Sequence, residues 1–527
     1  MDYQENCPVS ITPYAQSTDI TNPKIVSLNY TNQDFWSMKS RLIQFIQERF
    51  GSTGTMLPNT FNDFVESDIA IMLIENWAFL ADTLSFKMDQ IANEIFIDTV
   101  AELENVFRLA RLVGFYPQPP IAAKSLWSGT INNRLAVDVS IPTPMPVDVA
   151  VDGAPLTIEL FACDSNFNPI FNQPIVIPAG SIECKNVVGL EGTTTDESFV
   201  STGNISMSLP LSQSPVIYDS IQVEIDGVLW KQVDYFTDSN PRREYRIEFD
   251  SNWYAYIIFG NNRAGLIPSG GSAIKVTYRI GGGTIGNIVT NYSVAQWQAE
   301  APGIEYNIPV SFTNYTQGKY GYNGDTLEDI KNKLPKYLRT QNRAVSGTDY
   351  KTFADQFVTP YNGQIGKSTA VLRNYGCAGN VIDIYVLALW NTLYLEPASP
   401  ELKAEFSTAL NNVKMLTDFV CIRDGIVVSV DVAIEASLDK SYRKFEEEIK
   451  LSIESKAKQF FSLNNWDYYK PLKDTDLIKT LSDLKQVDGY NINFTNLSDE
   501  ANGGTYVDTR YYEIIRPNNI VITMFYT

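Results

Sequence analysis

Ile274-Lys275-Val276-Thr277-Tyr278-Arg279-Ile280-Gly281-Gly282-Gly283-Thr284-Ile285-Gly286-Asn287 is the stretch on which the fold turns. From Ala273 to Ile280 it reads as a β-strand, rich in β-branched and aromatic residues. From Gly281 to Gly286 it spells GxGxxG. A dinucleotide site needs a helix to start at that point, so that the helix N-terminus meets the pyrophosphate. The chain continues instead as Asn287-Ile288-Val289-Thr290-Asn291, which is β-prone. No strand–helix–strand unit surrounds the glycines, and there is no GxxxxGK[ST]. They read as a turn or bulge at a sheet edge.

The same character extends on both sides, from about 121 to 310. Pro and Gly recur between short β-rich runs. Ile221-Gln222-Val223-Glu224-Ile225 alternates, and Asp226-Gly227 marks a hairpin before Val228-Leu229-Trp230. Tyr245 to Phe249 and Tyr254 to Phe259 are further strands. An antiparallel sandwich or barrel-like domain is expected, with a smaller inserted module as a variant.

Before this region the chain reads helical. Asn32-Gln33-Asp34 leads into Phe35, Trp36, Met38, Leu42, Ile43, Phe45, Ile46 and Phe50, one broad apolar face that Gly51 stops. Ser67 or Asp68 caps a long helix carrying Ile71, Ile74, Trp77, Ala78, Ala81, Leu84 and Met88. Thr99 and Glu102 have capping-box spacing, for a helix running to Gly114. Pro117, Pro119 and Pro120 then form a boundary.

After about 320 the chain turns mixed α/β. Thr326 to Asp329 and Ser346 to Asp349 look like helix starts, and Ser399-Pro400-Glu401 places Pro in a favoured first-turn position. Val381 to Leu389 reads as a buried strand, and Val428, Val430, Val432 and Ile434 as one face of a half-buried strand. A charged amphipathic helix follows from about Ser441 to Phe461, and a short one near Asp474. Leu497 to Thr527 reads as a tail ending in an apolar run, Ile520 to Tyr526. The expected fold is multidomain α+β: an N-terminal helical domain (1–120), a β-rich middle domain (121–318), and two small α/β domains (319–425 and 426–527).

Composition narrows the function. The 527 residues exceed what one core supports. Acids outnumber bases 61 to 41, for a net charge of −20. Direct nucleic-acid binding is disfavoured, because it needs Lys and Arg to replace phosphate counterions. Docking on anionic lipid is disfavoured for the same sign of charge. Ile69 to Leu84 is the most apolar run, but Glu75, Asn76 and Asp82 interrupt it, so no membrane insertion is expected. Met1 to Glu5 does not resemble the start of a signal peptide. Cys7, Cys163, Cys184, Cys377 and Cys421 are scattered, as expected of reduced, mostly buried thiols.

Histidine is absent. Ser-His-Asp and Cys-His catalysis, His-ligated zinc and the usual proton shuttle are therefore unavailable. Carboxylate or lysine chemistry survives, but Glu446, Glu447 and Glu448 are adjacent on a helix and point in different directions, as on a solvated face. Asp474 and Asp476 read as charges at a helix N-terminus. No cofactor, no metal and no enzymatic activity are expected. Glu75 and Asp82, inside an apolar helix, read either as a polar edge or as a polar contact within a bundle shared with another chain. Trp77 and Trp466 are further interface candidates, as large aromatics. Arg339 and Arg343 lie on a connector between two helices, where they would pair with carboxylates or simply face solvent.

Three segments carry a resemblance. The first runs through Ser67-Asp68-Ile69, Leu73-Ile74-Glu75, Ala81-Asp82, Asn93-Glu94-Ile95-Phe96, Leu109-Ala110 and Gly114-Phe115-Tyr116-Pro117. The second runs from Phe259-Gly260-Asn261-Asn262 through Ile274 to Arg279 and Gly281-Gly282-Gly283 to Gly286-Asn287. The third holds Asn323-Gly324-Asp325, Glu328, Pro335, Leu338-Arg339-Thr340, Asn342-Arg343-Ala344-Val345 and Asp349-Tyr350. In this order they resemble the J-like baseplate wedge family of contractile phage tails. Asn261, Asn323 and Ser346 stand where that family more often has Asp, Gly and Thr.

The resemblance implies a structural subunit of the inner baseplate ring, located in the virion tail and assembled in the host cytoplasm. Its implied partners are a second copy of itself, other wedge subunits, and hub and sheath-initiating proteins. The N-terminal helices would join a bundle, and the C-terminal modules would supply dimer and ring contacts. Flexible boundaries are expected near Pro117–Pro120 and Gly318–Gly324. A receptor-binding fibre, a carbohydrate-active enzyme on the β-rich middle, or a tailocin or injection-system wedge are the rival expectations.

Overall fold

Three carboxylates, Asp34, Asp68 and Glu94, start the helices of the N-terminal third. A computed structural model of the chain describes residues 10–13, 34–51, 60, 68–151, 153–236, 241–290, 293–299, 308–374, 380–390, 394–438, 440–463, 465–484, 486–499 and 502–526. The protein is multidomain α+β, as expected. It divides into a helical unit (16–117 with 326–335) and a β-rich unit (1–15, 118–325 and 336–527).

In the helical unit, α1 (Phe35–Phe50) opens on a reciprocal cap. The Asp34 carboxylate accepts the Ser37 N–H at 2.8 Å, and Ser37 Oγ accepts the Asp34 N–H at 3.0 Å. Helix α2 (Ile69–Asn93) is capped by Asp68, which accepts the Ala70 N–H at 3.0 Å. Helix α3 (Leu103–Leu112) departs from expectation. Thr99 does not cap it; its hydroxyl donates to the Asn93 carbonyl at 2.6 Å, closing the end of α2. Glu94 supplies the acceptor instead, taking the Ala101 N–H and the Asn105 side chain, each at 3.0 Å. A carboxylate at the end of the preceding helix thus reaches the free amides that a local hydroxyl was expected to satisfy. The far end closes as expected. Gly114 has φ +77°, and the Phe115 N–H returns to the Ala110 carbonyl at 3.0 Å. The start of α4 (Leu327–Thr340) is also as expected, with Thr326 and Asp329 each accepting the other's N–H.

The β-rich unit holds separate apolar cores. A seven-stranded sheet includes Lys124–Ile131, Glu183–Glu191, Ala154–Cys163 and Met145–Val151. It encloses Trp127, Leu160, Val187, Val310 and Phe312. An inserted module leaves after Gly192 and returns before Gly281. Its first strand, Thr193–Val200, and its last, Ala273–Ile280, pair antiparallel along their whole length, from Thr193 opposite Ile280 to Val200 opposite Ala273. Two four-stranded sheets close around Val223, Ile257, Phe259 and Val276. The expected hairpin is present, with Asp226 at φ +49° and Gly227 at φ +79° and Ile225 opposite Val228. Trp230 lies just beyond the strand, its N–H still bonded to Val223.

Gly318–Gly324 is not a loose boundary. Gly318 and Lys319 donate to the Ile288 and Lys124 carbonyls at 2.8 and 2.9 Å, and Gly321 donates to Asn287 at 2.9 Å. These bonds stitch the segment to the seven-stranded sheet's flank.

Beyond it, α5 (Gly347–Asp355), opened by a Ser346–Asp349 cap, and α6 (Pro400–Leu410) cover a five-stranded sheet. That sheet contains an element not foreseen in the sequence. Ser10–Pro13 pairs antiparallel with the Ile365–Asn374 strand, Ser10 opposite Asn374. The last sheet has three strands. Ile426–Leu438 is central, with Val487–Asn496 antiparallel on one side and Glu513–Tyr526 parallel on the other. Its buried face, Val428 to Leu438, is the one expected. The apolar run 520–526 is therefore an edge strand and not a tail. Helices α7 (Glu446–Phe460), preceded by a 3-10 turn at Lys440–Phe445, and α8 (Asp474–Leu481) cover the inner face. Among the described thiols, Cys163 is buried, Cys184 half-buried and Cys421 exposed, which corrects the expectation for Cys421. Burial pushes the Cys163 thiol up to about 11. Cys7 and Cys377 lie outside the described residues.

Candidate assembly interface

Helix α2 is apolar on nearly every side, and a helix of that kind is normally buried. Within this chain it is not. Only Ile71, Ile74, Ala78, Ser85 and Asn93 are buried. Trp77, Phe79 and Phe86 stand 66%, 65% and 67% exposed, and Ile69, Met72, Leu73, Leu80, Leu84, Met88 and Ile91 are all at least half exposed. Trp36, Ile95, Phe96 and Leu112 add exposed apolar surface on the same unit. A contiguous face of this kind marks a surface that another apolar surface covers.

The charged residues inside α2 have defined places. Glu75 pairs with Lys39 of α1 at 2.6 Å, and Lys39 also sits over the Trp36 ring, 5.5 Å from its centroid. Glu75 is thus a polar contact within the bundle, made to its own chain. Asp82, two turns on, is half-buried on the same side. Helix α2 is, by length and composition, long and apolar enough to cross a membrane, despite the interruptions seen in the sequence. Four charges, Glu75, Asp82, Lys87 and Asp89, lie within it, and each would be costly in hydrocarbon.

The other candidates separate. Arg339 and Arg343 are exposed, and Arg343 donates to Gln341 at 3.0 Å. Among the described residues no carboxylate lies within 4.0 Å of either guanidinium. Trp466 is 2% exposed, stacked on Phe461 at 5.7 Å, with its indole N–H on the Phe460 carbonyl. It is a core residue and presents no surface.

The glycine triplet is a packed joint. Gly281, Gly282 and Gly283 all have positive φ, between 86° and 124°. Their N–H groups are taken by the Pro215 carbonyl, the Glu191 carboxylate at 2.7 Å and the Ile121 carbonyl, and that of Thr284 by Asn323. None is left to cradle a phosphate. Beside them Arg279 is buried, with Nε 3.1 Å from Glu159 and Nη2 donating to the Leu190 and Glu191 carbonyls. Glu159 also accepts the Thr194 N–H and hydroxyl. Glu159 pairs with the guanidinium, while the second buried carboxylate, Glu191, takes the Gly282 N–H. Burial pushes Glu191 up to about 7, against the Gly282 hydrogen bond and the Arg279 charge. Neither Glu159 nor Glu191 was a candidate from sequence, since each sits in an ordinary strand with no motif around it. Among the described residues, no group of three His, Cys, Asp or Glu is placed to hold a metal.

Residues 34–112 match the family model of the bacteriophage baseplate protein N-terminal domain. The match covers α1, α2 and α3, the elements that carry the exposed apolar face, and supports a baseplate protein. No curated protein matches the chain. Among solved structures, the chain is similar to one in the six-fold symmetrised cryo-EM structure of the anti-feeding prophage (AFP) baseplate. That similarity is 11% identity over 86% of this chain and 88% of that one, with a TM-score of 0.34. It is also similar to one in the type VI secretion system TssK-TssF-TssG baseplate subcomplex, at 10% identity over 67% and 96% of the two chains, with a TM-score of 0.29.

Proposed function

We propose that this chain is a structural wedge subunit of a contractile-tail baseplate, of the J-like kind. In this reading it forms part of the inner ring around the hub and passes on the conformational change that triggers sheath contraction. The observation that carries the proposal is the exposed apolar face of α2, on the stretch that matches a baseplate domain. An apolar helix face binds by laying itself into a complementary groove or bundle. The occupants proposed are helices of a second copy and of other wedge subunits, with hub and sheath-initiating proteins as further neighbours. The role is non-catalytic and the location is the tail baseplate of a virion assembled in the host cytoplasm.

The test is electron microscopy of particles from a source strain lacking this gene. Heads without tails, rescued by the gene in trans but not by a Trp77→Asp/Phe86→Asp version, are the expected result. Headless contractile particles that are lost on deletion would assign the subunit to a tailocin or injection system. Normal tails that fail to adsorb would move the role to receptor binding, and fully infectious particles would overturn it.

A further inference from the structure

Asn-Gly occurs three times in the chain, at Asn323-Gly324, Asn362-Gly363 and Asn502-Gly503. In such a pair the glycine nitrogen can attack the asparagine carboxamide, because no side chain on the glycine blocks the approach. The middle pair has surroundings that the others lack. The Asn362 Oδ1 accepts a hydrogen bond from Lys124 Nζ at 3.2 Å, and its Nδ2 donates to Glu405 Oε1 at 2.9 Å. Lys124 opens a strand of the seven-stranded sheet and Glu405 lies on α6, so the buried carboxamide is clamped from two sides. At Asn323, Oδ1 takes the Thr284 N–H, and at Asn502 both side-chain atoms bond to the Asp508 backbone. Among the described residues, neither has a cation on its oxygen or a carboxylate on its nitrogen. Gly363 completes the arrangement. Its carbonyl accepts the Thr359 N–H and hydroxyl at 2.9 and 2.7 Å, and the same hydroxyl oxygen accepts the Asn362 N–H at 3.0 Å. Its own N–H, although the residue is buried, has no acceptor among the described residues. Buried backbone N–H groups are nearly always paired, so this one calls for a reason. A Cβ here would lie 2.5 Å from the Tyr320 ring, at φ +88°, so the position demands glycine.

We infer that Asn362-Gly363 is a self-modifying site, where the chain closes a succinimide ring that water then opens. The Gly363 nitrogen bonds to Asn362 Cγ, and the Cγ–Nδ2 bond breaks. Glu405 passes the proton lost by Gly363 to the departing nitrogen, which leaves as ammonia. Lys124 stabilises the negative oxygen of the tetrahedral intermediate, as an oxyanion-hole donor does. Burial holds the Lys124 amine below the usual lysine range, against the pull of neighbouring anionic groups that include Glu405, so its proton is shared more readily. Glu405 is exposed, which gives water a way in from its side. Water adds across one of the two imide C–N bonds and leaves an aspartyl or isoaspartyl link. A carboxylate then stands where a carboxamide stood. It pairs with Lys124 and repels Glu405, so the seam between the sheet and α6 is rewired once and irreversibly. The site is independent of the assembly reading above.

The experiment incubates the purified full chain at neutral pH, then digests it with pepsin in acid, where imides persist. Mass spectrometry follows the three Asn-Gly peptides over time. The peptide holding Asn362 should first lose one ammonia and then gain one water, ahead of those holding Asn323 and Asn502. It should also react faster in the folded chain than in urea, since a fold without this clamp slows the reaction by fixing the backbone. Glu405→Gln, at an exposed position, should slow the loss of ammonia roughly 100-fold, the low end for a positioned proton-transfer group. Lys124→Met should slow it by a similar factor, with circular dichroism checking that the fold is kept. A peptide that stays unmodified, reacts faster in urea, or ignores Glu405→Gln would overturn the inference. So would modification led by Asn502-Gly503, which would reduce the chemistry to that of any exposed Asn-Gly loop.

Discussion

At the scale of single residues, the joint beneath the inserted module holds three buried charges. Glu159, Glu191 and Arg279 are each at most 5% exposed, which gives two carboxylates and one cation. Removing Arg279 leaves Glu159 buried without its counter-charge, and breaking such a pair typically costs about 3–5 kcal/mol. Arg279→Ala should therefore lower the melting temperature far more than the exposed Arg343→Ala, a comparison that a thermal melt makes directly. Glu191 carries a pH signature. Its folded value, raised to about 7 from 4.5, means the folded state holds the proton more tightly than the unfolded one. Its contribution is then most favourable below pH 4.5 and is lost as pH rises towards 7, on the order of 3 kcal/mol across the window. Glu191→Gln should flatten the decline in melting temperature between pH 5 and pH 7.5, and an unchanged slope would refute the assignment. At Gly281, with φ +119°, a Cβ would meet Gly192 Cα at 2.9 Å and a Glu191 oxygen at 2.8 Å. Gly281→Ala should cost more than the roughly 1 kcal/mol of an ordinary glycine replacement.

At the scale of elements, legibility followed locality. Caps whose two halves sit three residues apart, at Thr326–Asp329 and Ser346–Asp349, were visible in the sequence and are present. So was the Asp226-Gly227 hairpin, whose conformation depends only on its own residues. The Thr99–Glu102 cap failed because Glu94, outside the local window, competes for the same amides. The joint was hidden for a similar reason, since Glu159 and Arg279 are 120 residues apart and neither carries a local signature. Of the candidate interface residues, Trp77 is exposed and Trp466 is interior; both are tryptophans in mixed surroundings, and only the packing separates them. Helix α2 sets the prediction at this scale. Trp77→Asp/Phe86→Asp replaces side chains that are about two-thirds exposed, so stability should shift by less than about 1 kcal/mol while incorporation into baseplates is lost. A large drop in helix content in the purified variant would show that the face is needed for the fold itself.

At the scale of the whole molecule, the inserted module enters and leaves through paired strands, with Thr193 directly opposite Ile280. Replacing residues 193–280 by a short glycine linker takes Arg279 away with the module and should lower the melting temperature, yet leave the seven-stranded sheet and its Trp127–Phe312 core folded, measured as a cooperative melt. Loss of that melt would mean the module is needed for the core beneath it. The strand at Ser10–Pro13 bears on a different matter, the order of events on the ribosome. Its partner, Val371–Asn374, lies more than 350 residues downstream. At roughly 5–20 residues per second, those four residues wait on the order of half a minute before the sheet they complete exists. Ser10–Pro13 is thus fastened late, after the first five helices, the seven-stranded sheet and the inserted module have all been synthesised, and its fastening reports that synthesis has passed Asn374.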